Sequence, residues 1–409
     1  MIKLTRCLFI LAILLGATSQ APAQSADKVV AGVSTDRLKR LDAFVKSEID
    51  KGNLSGVVTR VMRNGTLVYQ STQGYKNIEE KIAMKTNDIF FIQSMTKPVI
   101  TTAFMMLYEE GYFQLTDPVS KYLPAFKDLR VIKDVNEGAN GATVPMESEI
   151  TIAQLLSHTS GLTHGLGQSQ LEKDFMKGYF IQPYPDIKAR AANITKFPLL
   201  AQPGMQWNYS AGHDVVSVLI EQFSGMSAND FLIERIFKPL GMKDTGYNLT
   251  KEQQARVAKV YSKEADGKLI PLRDQPKMEG NTIWSGVNGL FSTPADYMNF
   301  CQMLLNGGKW NGKQLLSRKT VDLMSSNLTG NLFKTSGEGF GLGVAVMVDV
   351  PASMQLGSNG IFYWAGAYNT HFFIDPKEKL IAGFFTQEAH FTNFYHAKLR
   401  QLVYQALAD

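Results

Sequence analysis

Cysteine is nearly absent from this chain of 409 residues, which holds Cys7 and Cys301 alone. Cys7 lies ahead of an N-terminal apolar run, so a processed chain keeps one thiol and an internal disulfide framework is excluded. Cys301 falls within Tyr297-Met298-Asn299-Phe300-Cys301-Gln302-Met303-Leu304-Leu305, apolar at helical spacing. That pattern predicts a buried core thiol rather than a nucleophile. Long apolar runs are lacking too. The N-terminal run, residues 7–17, is about half of the ~20 residues that a bilayer span requires. Preceded by Lys3 and Arg6 and followed by Ala21-Pro22-Ala23, it reads as a secretory signal peptide cut after Ala23. The mature protein is therefore expected to be periplasmic or secreted, with no membrane span. The formal net charge is +5, but no Lys/Arg run or basic–aromatic stripe gathers it, which argues against nucleic-acid binding. Among the six histidines (His158, His164, His213, His371, His390 and His396) no pair has the i, i+4 spacing of a helical zinc site. No metal and no organic cofactor is expected. No serine is flanked as Gly-x-Ser-x-Gly, which excludes the common Ser-His-Asp nucleophile elbow. Neither an internal repeat nor a low-complexity linker interrupts the chain after the signal segment.

What remains is an ordinary globular composition, 44% hydrophobic and 19% charged, long enough for a large core. Residues 35–52 read as an amphipathic helix with Leu38, Leu41, Phe44, Val45 and Ile49 on one face. Residues 57–63 and 66–70 flank Asn64-Gly65, a strong short hairpin signal. Residues 94–110 are predicted helical, and residues 117–271 read mostly as helices and loops. Alternation returns in residues 340–350, 367–375 and 380–387, the last two joined by a turn at Pro376-Lys377-Glu378, before a helix over 391–408. The expected fold is α/β (α+β): an antiparallel sheet built from both ends of the chain and flanked by helices, with an all-α lobe inserted. Residues 24–116 and 272–409 would form the sheet domain and 117–271 the helical lobe. The irregular, aromatic-rich stretch 163–202 is expected as a lid or wall over the cleft between them.

Three segments carry candidate chemistry. In Ser94-Met95-Thr96-Lys97 a serine opens a helix, where the ordinary role is a cap. Lys97 lies on the same face at i+3. Burial and the positive helix end would both lower its pKa until it can act as a base. A serine hydroxyl needs such a neighbour to attack a carbonyl at neutral pH. Ser-x-x-Lys is common by chance, so the tetrad does not stand alone. In Trp207-Asn208-Tyr209-Ser210-Ala211, Tyr209 is a candidate proton shuttle, its pKa expected to be depressed by nearby cations. In Tyr363-Trp364-Ala365-Gly366-Ala367, leading into a strand, Gly366 permits close backbone approach. The strand-edge N–H of Ala367, with the N–H of Ser94, would form an oxyanion hole.

These segments in this order resemble the serine β-lactamase and penicillin-binding-protein superfamily. The resemblance is to its class C-like branch, which includes family VIII carboxylesterases and related acyltransferases. Leu156-Ser157-His158-Thr159-Ser160-Gly161-Leu162, Ile236-Phe237-Lys238-Pro239-Leu240-Gly241-Met242, Gly289-Leu290-Phe291-Ser292-Thr293 with Asp296, and Phe340-Gly341-Leu342-Gly343 extend it over roughly residues 38–387. It implies a β-lactamase/transpeptidase-like fold, Ser94 as acylated nucleophile, Lys97 as its base partner, and Tyr209 as the tyrosine of the Tyr-x-Asn motif. Two departures matter. Ala211 stands where β-lactamases have that asparagine, and Trp364-Ala365-Gly366 where they have Lys-Thr-Gly. A tryptophan cannot pair with a substrate carboxylate, but it offers a flat apolar wall. Trp-Gly-Gly at this place resembles the esterase branch, with Ala365 a small deviation. The resemblance thus implies a serine hydrolase acting through an acyl-enzyme on small-molecule carboxylic esters, with Trp364, Gly366, Trp207 and Tyr363 as substrate contacts. A β-lactamase, a D-amino-acid peptidase or amide hydrolase, an acyltransferase, and an inactive peptidoglycan- or partner-binding relative stay open as alternatives. His158 is expected to be structural near the cleft, and His371 as much packed as site-lining.

Overall fold

The computed structural model describes residues 28–409. The expected signal peptide and its cleavage after Ala23 lie outside the described residues.

An antiparallel sheet of eight strands organises the molecule. In chain order these are β1 (Gly56–Arg63), β2 (Thr66–Asn77), β3 (Ile82–Ala83), β4 (Glu338–Phe340), β5 (Ala345–Met347), β6 (Phe362–Ala365), β7 (His371–Asp375) and β8 (Leu380–Phe385). Their spatial order is β4-β5-β6-β7-β8-β1-β2-β3, so β8 from the C-terminal half pairs with β1 from the N-terminal half. The β1–β2 hairpin turns at Asn64 and Gly65, both at positive φ, as a two-residue loop between twisted strands demands.

Strand alternation gives the sheet two buried faces. Val57, Val61, Phe373, Ala382 and Phe384 point to one side, against Leu38, Leu41 and Val45 of helix α1 (Thr35–Asp50) and Leu399 and Val403 of the C-terminal helix Asn393–Tyr404. Ser34 caps α1 by accepting from the Arg37 N–H. Val58, Phe362, Phe372, Ile374, Ile381 and Phe385 point to the other side. There they meet helix α2 (Thr96–Glu109), helix α3 (Gly212–Ser224) and helix α4 (Pro294–Leu305) in one continuous core. Cys301 is fully buried on α4. The C-terminal helix is hereafter α5. Between β3 and α4 the chain forms mostly short helices and loops, with the small two-stranded pairs Arg130–Ile132/Thr143–Pro145 and Tyr261–Lys263/Leu269–Pro271. No helix among the described residues is long and apolar enough to cross a membrane.

Several elements differ from the sequence expectation. The alternation over 340–350 is broken into β4 and β5. Gly341 runs so close to Met324 that a Cβ there would meet its carbonyl oxygen at 2.1 Å, and one on Gly343 would meet Thr101 Oγ1 at 2.3 Å. The intervening N–H groups turn away to the carbonyls of Met324 and Leu156. The strand expected from Ala367 starts at His371, because residues 366–369 form a turn closed by the Asn369 N–H on the Gly366 carbonyl. The stretch 163–202 is less irregular than its composition suggested. It contains the helices Gln170–Phe175, continued by a wider turn, and Ile187–Ile194.

Candidate active site

Ser94 is presented by a tightly constrained approach. Phe90–Phe91 pairs with Phe291–Ser292, the Ile92 N–H bonds the Leu290 carbonyl, and the Gln387 side chain brackets Phe91 by accepting from its N–H and donating to its carbonyl. Gln93 then adopts φ +48°, a left-handed conformation that costs a non-glycine residue about 1 kcal/mol or more. A short 3-10 turn, Gln93–Met95, carries Ser94 just ahead of α2. The Ser94 side chain caps neither helix; the cap positions are Ile92 and Met95, without a side-chain bond. The hydroxyl is left free for other partners.

Those partners are Lys97 and Tyr209. Lys97 Nζ lies 3.3 Å from Ser94 Oγ, and the Tyr209 hydroxyl donates to the same Oγ at 2.8 Å. Lys97 Nζ also sits over the Tyr209 ring, 4.4 Å from its centroid. Lys97 is fully buried, and burial drives its pKa well below the ordinary lysine range, only partly opposed by the charge of Asp214. A neutral amine next to a serine hydroxyl can accept its proton. Tyr209 behaves opposite to the expectation of a depressed pKa. Burial raises its phenol, while hydrogen bonding to Ser94 and Trp364 opposes the rise less strongly. The expectation needed nearby cations, but burial disfavours the charged form of Lys97 and position 364 is an indole. Tyr209 is thus a protonated phenol that donates.

Sequence reasoning missed the frame that holds Lys97. Its Nζ donates to the Val287 carbonyl at 3.0 Å, and the Val287 N–H donates to Asp214 Oδ1 at 3.2 Å. Asp214 also accepts from the Ser285 hydroxyl at 2.5 Å and the Tyr179 hydroxyl at 2.6 Å, and pairs with Arg190 at 3.3 Å. The one available signal was Asp214 following Tyr209 by five positions, on the first turn of α3. The loop bearing Tyr209 is pinned from behind by His158. His158 Nδ1 accepts the Ser210 N–H at 3.2 Å and its carbonyl accepts the Asn208 N–H. His164 stacks on Tyr209 with centroids 5.1 Å apart. Burial keeps His158 and His164 well below the ordinary imidazole range.

The opposite wall comes from β6 and the turn after it. The β5 ladder ends at Tyr363, so Trp364 and Ala365 pair with β7 alone and turn their other edge toward the Ser94 segment. A Cβ on Gly366 would meet Thr370 Oγ1 at 2.2 Å and the Ile92 carbonyl at 2.4 Å. This close approach brings Ala367 beside Ser94 in the cleft lining. The Gly366 N–H bonds Thr370, and the Asn369 side chain ties the turn to the carbonyls of Glu388 and His390. Ala367 therefore sits in a turn rather than on the strand edge anticipated for its N–H.

Between the walls lies a cleft of about 540 Å³ lined by Ser94, Tyr209, Trp207, Trp364, Gly366 and Ala367, with Tyr363 farther along. Trp364 meets Tyr209 at 5.6 Å and Phe340 edge-on at 5.2 Å, and Trp207 meets Phe333 at 4.8 Å. The stretch 163–202 contributes Leu166 to this lining. His371 is buried in β7 beneath the cleft and pushed down to about 3 by burial. No group of three or more His, Cys, Asp or Glu among the described residues could hold a metal ion.

Helices and an antiparallel sheet framing a serine, a buried lysine and a tyrosine define a serine β-lactamase-like class. The chain belongs to the Beta-lactamase family, whose model matches residues 41–406. It is 33% identical to Protein Rv1367c of Mycobacterium tuberculosis over 83% of this chain and 87% of the relative. It is 25% identical to Esterase EstB of Burkholderia gladioli over 82% of this chain and 86% of the relative. Among solved structures it is similar to EstCE1, a hydrolase with promiscuous acyltransferase activity. That match has 26% identity and a TM-score of 0.78, covering 90% of this chain and 99% of that one.

Proposed function

We propose that this protein is a serine hydrolase that cleaves carboxylic esters through an acyl-enzyme on Ser94. The observation that carries it is the convergence of the Tyr209 hydroxyl, at 2.8 Å, and the buried Lys97 amine, at 3.3 Å, on one serine oxygen. Ser94 Oγ attacks the ester carbonyl carbon and its proton passes to the neutral Lys97 amine. The Ser94 and Ala367 N–H groups face the developing oxyanion. Tyr209 gives its proton to the departing alkoxide and is refilled from the Lys97 ammonium. Water then enters by the reverse route and frees the acid; an alcohol or amine in its place would make the product a transferred acyl group. Ester rather than β-lactam or peptide turnover is supported by Trp364, which replaces the cation that would hold a carboxylate, and by the aromatic lining. The similarity to EstB and EstCE1 supports the same direction. The basic–apolar–small pattern of the first 23 residues supports export of the mature protein.

A panel pairing short-chain aryl esters with a cephalosporin and a D-Ala-D-Ala peptide, with Ser94→Ala as control, tests this. Ester turnover that disappears in Ser94→Ala is the expected result. Faster turnover of the cephalosporin or peptide than of every ester would contradict the role given to Trp364.

A further inference from the structure

Away from Ser94 the same cleft ends in a polar patch that acyl transfer does not use. Glu338 of β4, Gln355, Tyr363 of β6, and Asn393 and His396 of α5 line it there. The Tyr363 ring has the His396 ring 4.4 Å away and the Arg400 guanidinium 4.9 Å away. Arg400 is 1% exposed; its Nη1 donates to Gln355 Oε1 at 2.9 Å and stands 3.9 Å from Glu338. Beneath this layer His371 stacks on His396 at 5.4 Å.

Hydrogen bonding in the patch is incomplete. His396, itself 7% exposed, has its Nε2 buried without a partner, and the same holds for both ring nitrogens of His371 and for Arg400 Nε and Nη2. Buried polar atoms are almost always paired. His396 lines the cleft while His371 and Arg400 lie behind it, so the His396 nitrogen is the orphan nearest to a ligand bound there. The path from Ser94 to the patch is apolar, walled by Trp207, Phe333, Trp364 and Phe391.

We infer that the far end of the cleft is a subsite for an uncharged hydrogen-bonding group, a hydroxyl or carboxamide. The substrate carries it at the end of one apolar arm of the ester, and His396 and Glu338 read it. A carboxylate would meet Glu338 before anything else, because Arg400 lies behind it and not on the cleft surface. An ammonium would have to share Glu338, the one acid in the lining, with Arg400 already 3.9 Å from it, and His396, its pKa lowered by burial, adds no negative charge. An alkyl terminus would seal the patch with its polar atoms unpaired, at a cost in affinity. A neutral hydroxyl or amide both donates and accepts, as the mixed acidic and imidazole lining requires.

The inference rests on the acyl-enzyme reading above, and the test separates the two. Aryl esters are made with an acyl chain lengthened one carbon at a time, each ending in methyl, hydroxyl, carboxamide, carboxylate or ammonium. A second series carries the same chains on the alcohol side of an acetate. At one length in one of the series, kcat/KM for the hydroxyl or carboxamide terminus should exceed that for methyl by about tenfold or more. Both charged termini should fall below methyl. In His396→Phe the hydroxyl-to-methyl ratio should drop toward one; because both substrates are assayed on one preparation, partial misfolding cancels. Ratios near one at every length in both series, or a preference for a charged terminus, overturn the subsite while leaving the hydrolase intact. No turnover of any ester, with no fluorophosphonate labelling of Ser94, overturns the hydrolase and the subsite with it.

Discussion

The two walls of the cleft have different origins and different degrees of freedom. The wall carrying Ser94, Lys97 and Tyr209 is made by the turn before α2, α2 itself and the loop before α3. Its reacting groups are held by hydrogen bonds: Lys97 to Val287, Tyr209 to Ser94, with His158 bonded to Ser210 behind them. The wall carrying Trp364 to Ala367 is a strand edge and a turn, and it departs from the lysine-bearing pattern of β-lactamases at position 364. Under the proposed function, the contrast teaches that the first wall carries the proton transfers and the second, which also lends the Ala367 N–H, chiefly selects what reaches them. Substitutions on the first should abolish turnover of all substrates alike. Substitutions on the second should reorder the substrates.

The largest effect is expected at Lys97. Lys97→Met should lower kcat/KM for every ester by about a thousandfold or more, because the serine proton loses its acceptor. Since burial depresses the Lys97 pKa, the amine becomes neutral at lower pH than a free lysine would. Wild-type kcat/KM should therefore rise with pH through that depressed pKa and then level off. A pH profile still climbing in the ordinary lysine range would break this account of the base. Tyr209→Phe should cost about a hundredfold through loss of the phenol proton, again with little change in substrate rank. At Trp364 the effect is smaller but differently shaped. Trp364→Lys should lower turnover of short aryl esters by about tenfold and raise the relative rate for substrates bearing a carboxylate near the scissile bond. A uniform loss across the panel would assign Trp364 to the chemistry and dissolve the contrast. The smallest expected effect is on stability. Gly366→Ala forces a methyl against Thr370 and the Ile92 carbonyl and should lower the unfolding midpoint by an amount matching about 1–3 kcal/mol, measured by thermal denaturation.

How much of this was legible in the sequence follows the same division. The sheet built from both ends of the chain could be read because β1, β7 and β8 are short runs rich in β-branched, aliphatic and aromatic residues, and a two-residue turn at Asn64-Gly65 joins β1 to β2. The tetrad at Ser94 and the tyrosine at Tyr209 could be picked out because helical spacing and an ordered set of motifs mark them locally. Asp214 and Val287 could not, since Val287 contacts Lys97 across 190 positions and contributes only a backbone carbonyl. The direction of the Tyr209 shift was misjudged because it depends on burial, and sequence pattern does not reveal how completely a loop tyrosine is covered. The break between β4 and β5 escaped for a related reason. Gly341 and Gly343 keep the alternation alive in the sequence, yet they exist to let the chain pass Met324 and Thr101. Orphaned nitrogens on His371 and His396 carry no sequence signal at all, because isolated histidines are most often packed and satisfied.

The central claim is that Ser94 is the atom acylated. A fluorophosphonate probe followed by peptide mass spectrometry measures this directly. The account predicts a single adduct on the peptide bearing Ser94, present in wild type and lost in both Ser94→Ala and Lys97→Met. No adduct on wild type, or an adduct on another residue that survives Ser94→Ala, would contradict it.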